Sequence, residues 1–351
     1  MSTLRSGYTT GTCAAAAAKA AVRLLKDEVR EEEVEVGLPD GERVHFPVVL
    51  ADLCGGTGIA AVRKDAGDDP DITHGVLIKA AVSLITGTDI VFEAGEGVGR
   101  ITKPGLLLPV GEAAINPVPR EQIRRAIREI TDQGLRVIIS IPSGEELAAK
   151  TFNPRLGVMG GLSILGTQGR VRPFSCPALQ ESLKCALSVA WAAGIKAPVF
   201  VPGHIGERAA RKHFSITAEQ VIEVSNEWGF ILGCLAEYNL EHLLVLGHPG
   251  KLVKLAEDQW DTHSSRSRSA LGFVEKAAME ILKGSLPASS TVEGFFMALF
   301  DEKRKAFGDL LAGRVNSAVS NRLGKRIETA VVLINLQGDW LGSSGDLRPW
   351  R

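Results

Sequence analysis

Residues 243–258 read LLVLGHPGKLVKLAED. The four apolar residues at 243–246 are too few for a helix and suit a strand buried on both faces. Gly247-His248-Pro249-Gly250 then turns the chain, and 251–258 reads as a helix. The same pattern occurs upstream, with a strand at 198–201 before a helix at 206–214, and a strand at 220–224 before a helix at 226–240. A last helix near 314–324 leads into an apolar strand at 329–336. Alternation of this kind is the signature of parallel α/β units. Residues 151–351 are therefore expected to form an α/β, Rossmann-like domain with a mainly parallel sheet.

The preceding residues follow different rules. Thr9, Thr10 and Thr12 can cap a helix through about Lys26, whose alanines allow close packing. Strands at 33–36 and 44–49 flank Pro39-Asp40-Gly41 and read as a hairpin. Extended pieces lie near 61–64 and 89–93, a helix starts at Pro119 with Ile123, Ile127 and Ile130 on one face, and 136–141 is a strand. Residues 1–150 are thus expected to form an α+β domain carrying acidic and glycine-rich loops. A chain of 351 residues exceeds what one core usually supports, so two domains are the default.

Composition excludes several classes. A net charge of −1 provides no basic surplus for tracking nucleic-acid phosphates. No apolar run reaches the ~18 residues of a membrane span. The five cysteines form no C-x-x-C pair, which disfavours a zinc knot or disulfide framework. The expectation is a soluble cytoplasmic protein with small-molecule partners and neither nucleic acid nor membrane among them; homo-oligomerisation is left open.

Two segments stand out chemically. Asp65, Asp68, Asp69, Asp71 and His74 crowd into ten positions broken by Gly67 and Pro70, a pattern that marks a site loop or a capped turn. Gly95-Glu96-Gly97-Val98-Gly99 is G-x-G-x-G with no helix behind it, so it is not a dinucleotide fingerprint. Nor is 247–252 a P-loop, because Leu252 stands where Ser or Thr is required. Ligands in open α/β domains bind beyond the carboxyl ends of strands, which here means Pro202-Gly203-His204 and Gly247-His248-Pro249-Gly250-Lys251. His45, His213 and His242 suit packing or solvation, whereas His204, His248 and His263 lie in polar or glycine-rich loops and His74 among acids. The acidic spacing fails the calcium-loop rule, and no protein-bound metal is expected.

The segments LRSGYTTGTCAAAAAKAA (4–21), KDAGDDPDITHG (64–75), GEGVGRITKPGL (95–106), PVGEAAINPVPR (109–120), NPRLGVMGGLSILGTQG (153–169) and GHPGKLVKLA (247–256) resemble, in order and spacing, the CbiD family of cobalamin biosynthesis. The resemblance implies methyl transfer from S-adenosylmethionine to ring carbon 1 of cobalt-precorrin-5B, giving cobalt-precorrin-6A, with cobalt present only as part of the substrate. Such a substrate carries acetate and propionate carboxylates, which guanidinium groups bind well. Arg100, Lys103, Arg120, Arg155 and Arg170 lie in the matched segments and are the expected substrate-binding cations. Asp68, Asp69 and His74 are the expected catalytic residues. Gly203, His204, Gly247, His248, Gly250 and Lys251 are expected at the cofactor. A non-catalytic tetrapyrrole carrier is the alternative, and a nicotinamide-dependent reductase is disfavoured by the missing fingerprint.

Overall fold

The computed structural model describes residues 4–173, 175–281 and 287–351. It separates into two compact units, Met1–Cys176 and Pro177–Arg351.

In the first unit β1 (Gly7–Tyr8) leads into α1 (Thr10–Asp27), and Thr9 caps the helix, its Oγ1 accepting the Thr12 amide at 3.2 Å. The strands are β2 (Glu33–Gly37), β3 (Arg43–Cys54), β4 (Thr57–Arg63), β5 (Leu77–Ile85) and β6 (Ile90–Ala94). Then come β7 (Arg100–Ile101), α2 (Pro117–Arg128), β8 (Gly134–Ser140), α3 (Gly144–Ala148), β9 (Val158–Met159) and β10 (Arg170–Val171). Six of these strands form one sheet, ordered β2-β3-β4-β5-β8-β6, antiparallel except where β6 meets β8. The alanines of α1 are fully buried against it. Small side chains set that distance: a Cβ on Gly58 of β4 would lie 2.2 Å from the Ala21 carbonyl oxygen of α1.

The division between units falls beyond the expected 150/151. Residues 151–171 hydrogen-bond back into the first unit: β9 pairs with β7, β10 with β1, and bridges join Val98 to Leu162 and Ile115 to Ile164. These partners are separated by some fifty residues or more, so no local pattern reveals them.

The second unit runs α4 (Cys176–Ala192), β11 (Val199–Val201), α5 (His204–His213), β12 (Val221–Glu223), α6 (Trp228–Cys234), β13 (His242–Gly247) and α7 (Pro249–Leu252). It continues with α8 (Ala270–Ile281), α9 (Val292–Met297), α10 (Asp301–Arg322), β14 (Glu328–Ile334) and β15 (Trp340–Ser344). The sheet order is β12-β11-β13-β14-β15, parallel apart from β15. Leu243 and Val245 enter one core while Leu244 and Leu246 enter the core on the opposite face, so the apolar run is buried on both sides as its pattern requires. Two expected helices are shorter than their patterns: 226–240 holds α6 and a 3₁₀ turn, and 251–258 holds the end of α7 and a 3₁₀ segment, Val253–Glu257. α10 is longer than expected, because its charged start hides Phe307 and Leu311, which join Val315 and Val319 in the core. Among the described residues no helix is long and apolar enough to cross a membrane.

Candidate functional site

The acidic loop after β4 is knitted to the chain on both sides. The Asp68 carboxylate accepts the Arg5 amide at 2.6 Å, and the Asp68 amide donates back to the Arg5 carbonyl at 2.9 Å. Asp65 pairs with the Arg5 guanidinium, which holds its carboxyl below the ordinary range, and accepts the Gly67 amide. Asp71 accepts the buried Lys64 ammonium at 2.7 Å and both the amide and hydroxyl of Thr73. His74 Nδ1 accepts the Ala66 amide at 3.1 Å, which leaves the ring proton on Nε2. Asp69 is half-buried in the same turn, its amide facing the Ala66 carbonyl. The structure thus brings Asp68, Asp69 and His74 together around the backbone of residues 66–68, where Asp68 and His74 shape the loop.

The three glycines of the G-x-G-x-G segment serve backbone packing. Gly97, at φ +68°, would place a Cβ 2.0 Å from the Ile141 carbonyl oxygen, and Gly99 would meet Val158 at 2.5 Å. The approach seats β7 against β9 and gathers Ile101, Leu108, Ala114 and Val158 into a small core. The neighbouring segments carry the exposed apolar residues Leu107, Val110, Phe152 and Met159. Arg100 pairs in register with Met159, Lys103 reaches the Arg155 carbonyl at 3.4 Å, and Arg155 stands over the Phe152 ring at 5.9 Å. Three expected substrate cations thus each lie beside one of these apolar residues or beside one another: Arg100 by Met159, Arg155 by Phe152 and Lys103 by the Arg155 backbone.

The other two are placed differently. Arg120 pairs with Glu112 at 2.8 Å and donates to the Ile115 and Ala113 carbonyls, clamping the loop that holds them. Arg170 pairs with Glu42 and stacks over Tyr8, which places it at β10. Arg120→Ala is expected to lower the unfolding free energy by about 1–3 kcal/mol, since it strands two loop carbonyls. Chemical denaturation checks this; unchanged stability with a raised Michaelis constant would mean that Arg120 meets ligand instead.

In the second unit, β11 has β12 on one side and β13 on the other, so the strand order reverses between β11 and β13. Such a switch point opens a crevice beyond the carboxyl ends of the two strands. Gly203 and His204 follow β11 and Gly247 to Lys251 span the end of β13, so the predicted residues meet there. The loops abut, since a Cβ on Gly247 would lie 2.6 Å from Pro202. At Gly203 a Cβ would meet nothing within 4 Å. His204 is exposed, and its ring groups with the carboxylates of Glu207 and Glu223, all ligand atoms within 4.8 Å of one another. Buried Glu207 also accepts Arg211 at 2.9 Å, which offsets its charge.

A helix start beyond a parallel strand commonly offers backbone amides and a dipole end to an anion, but the helix after β13 does not. Pro249 has no amide hydrogen, the Gly250 amide is taken by His248 Nδ1 at 3.0 Å, and the Lys251 and Leu252 amides donate to the His248 carbonyl. α7 has four residues, too few to present a macrodipole end. His248 donates from Nε2 to Glu293 at 3.0 Å, and burial pushes its pKa down although Glu293 opposes that. Glu293 also accepts the Leu336 amide, so this pair ties the ends of β13 and β14 together. Lys251 reaches the Asn226 side-chain oxygen at 3.0 Å. His263 lies apart, its amide on Asp261 and its ring on Ser265.

The CbiD family profile matches residues 1–173. A cobalt-precorrin-5B C(1)-methyltransferase of Syntrophotalea carbinolica is 54% identical over 351 residues, covering all of both chains. This chain belongs to the CbiD family. A second relative of the same name, from Methanocaldococcus jannaschii, is 41% identical over 96% of this chain and 95% of its own. A crystal structure titled cobalamin biosynthesis protein (cbiD) from Archaeoglobus fulgidus is 32% identical, covering 79% of this chain and 84% of that one, with a TM-score of 0.41.

The structure also brings in residues the sequence pattern passed over. Glu207 and Glu223 sit with His204, and the spacing His204 to Glu207 was a legible signal, one turn apart on a helix. Glu293, Asn226 and Thr262 reach the same edge from distant positions, and nothing local marks them.

Proposed function

We propose that this chain methylates ring carbon 1 of cobalt-precorrin-5B, yielding cobalt-precorrin-6A in anaerobic cobalamin biosynthesis. The observation that carries the reading is full-length identity of 54% to a relative bearing that activity in its name. S-adenosylmethionine is the proposed methyl donor, and cobalt enters as part of the substrate. A cytoplasmic location belongs to the same reading.

The proposed chemistry is in-line displacement, in which a nucleophilic macrocycle carbon attacks the sulfonium methyl while the methyl–sulfur bond breaks, its electron pair stays on sulfur and S-adenosylhomocysteine leaves. Holding the two reactants in line supplies about 7–11 kcal/mol without a strong acid or nucleophile. That requirement agrees with His74 and His248, whose Nδ1 lone pairs are already engaged. In this reading Gly203 and His204 border the donor at the switch point. Arg100, Lys103 and Arg155 bind substrate carboxylates while Phe152 and Met159 meet the apolar ring.

The decisive experiment incubates the pure protein with cobalt-precorrin-5B and methyl-labelled S-adenosylmethionine. Label in the tetrapyrrole is expected; a carrier would bind the substrate and leave it unlabelled. Arg100→Met and Arg155→Met should each raise the Michaelis constant for the tetrapyrrole about tenfold with kcat little changed, because a charged hydrogen bond of about 1.5–3 kcal/mol acts in ground and transition states alike. A rise confined to the S-adenosylmethionine constant would assign these residues to the other ligand.

A further inference from the structure

Lys251 and Lys254 are one helical turn apart and both turn toward the chain beyond β12. The Lys251 ammonium donates to the Asn226 side-chain oxygen at 3.0 Å. Lys254, 7% exposed, donates to the Thr262 carbonyl at 3.1 Å and the Ser267 hydroxyl at 2.7 Å. Thr262 in turn donates its hydroxyl to the same Asn226 oxygen at 3.2 Å. The two ammonium groups thus converge on one Asn226–Thr262 couple. Because β11 lies between β12 and β13, the Lys251–Asn226 bond joins the loops on either side of it.

What these ammonium groups hold is neutral. Among the described residues neither lysine has a carboxylate within ion-pair distance; Asp261, whose charge acts on Lys254, is engaged by Arg266 and by the His263 amide. Burial pushes both lysines below their ordinary range; the like charge of Lys254 adds to the effect on Lys251, while Asp261 opposes it at Lys254. An ammonium has three donors, so Lys251 keeps two uncommitted and Lys254 one. Two neighbouring, partly desolvated cations without an anionic partner are costly in a folded chain, and an arriving anion offsets that cost.

We propose that Lys251 and Lys254 form a carboxylate-binding subsite at the carboxyl edge of β12 and β13. The proposal rests on the methyltransferase reading above and names what this edge grips: a carboxylate, borne by the methionine moiety of the donor or by an acetate or propionate arm of the macrocycle. Asn226 and Thr262 position the ammonium groups.

The test is calorimetric titration of the full chain and of Lys251→Met with three probes: S-adenosylhomocysteine, 5′-methylthioadenosine, which lacks the amino-acid moiety, and uroporphyrin, an octacarboxylate macrocycle. A loss of about tenfold or more is expected for one of the two carboxylate-bearing probes, with the affected probe naming the source. Methylthioadenosine should bind both proteins alike, and Lys251→Arg should retain affinity within about threefold. Thermal melting verifies that the variant is folded, with Lys251→Gln as the substitute if it is not. Affinities for both carboxylate probes within twofold of the parent would overturn the subsite while leaving the methyltransferase reading intact. So would an equal loss for methylthioadenosine. A parent chain that binds none of the probes would overturn the methyltransferase reading, and the subsite with it.

Discussion

Gly203→Val is expected to leave the protein folded and to weaken S-adenosylhomocysteine binding by about a hundredfold, a change of ~2.7 kcal/mol. Gly203 has φ 164°, an extended backbone that any residue adopts, and a Cβ there meets nothing within 4 Å. The side chain therefore changes only the space beyond β11. The neighbouring glycines do not allow so clean a test, since a Cβ on Gly247 meets Pro202 at 2.6 Å and one on Gly250 meets the His248 ring at 2.8 Å. The series Gly203→Ala, Gly203→Val should show a graded loss of affinity with melting temperatures close to the parent. Binding undiminished in a folded Gly203→Val protein would remove the switch-point crevice as the donor site.

The second large effect concerns stability. Asp71→Ala should reduce the unfolding free energy by about 3 kcal/mol, because Lys64 is 1% exposed and would keep a buried charge with no counterion. The figure sits at the low end of what breaking a buried pair costs, since the Asp71 side chain is 22% exposed. The pair also predicts a pH dependence. Burial raises the Asp71 carboxyl, but Lys64 and the Thr73 hydrogen bonds outweigh burial and hold it below the ordinary carboxylate range. A folded-state pKa below the unfolded one contributes stability that is complete above about pH 4 and is lost as pH falls through the folded value. Urea unfolding of the parent and of Asp71→Asn between pH 7 and pH 3 should therefore converge at the acid end. Parallel curves throughout would show that Asp71 is not the group responsible. The same loop would then need another explanation for its crowded acids.

Several elements were legible in the chain alone. Thr9 before the alanines marked the cap of α1, Pro39-Asp40-Gly41 marked the β2–β3 turn, and the apolar run at 243–246 marked a strand buried on both faces. Each is a local signal, in which neighbouring residues decide their own dihedrals or present one periodic face. Order and spacing of the short blocks likewise carried the resemblance to the CbiD family, which the full-length relative bears out. The α/β alternation also marked the carboxyl ends of β11 and β13, since a parallel strand followed by a helix has its ligand edge set by chain direction.

Tertiary structure decided what those positions can do. His74 and His248 look alike in the sequence to any histidine in a polar loop, yet the amides of Ala66 and Gly250 take their Nδ1 atoms. Arg100 stands opposite Met159 because β7 pairs with β9, and Arg120 and Arg170, in equally suggestive segments, pair with Glu112 and Glu42. The place of residues 151–171, the strand reversal at β11, and the meeting of Lys251 with Asn226 all depend on partners far apart in the chain. Composition and periodicity report on neighbours in sequence. Charge, hydrogen bonding and access are set by neighbours in space, and in this protein those come from distant segments.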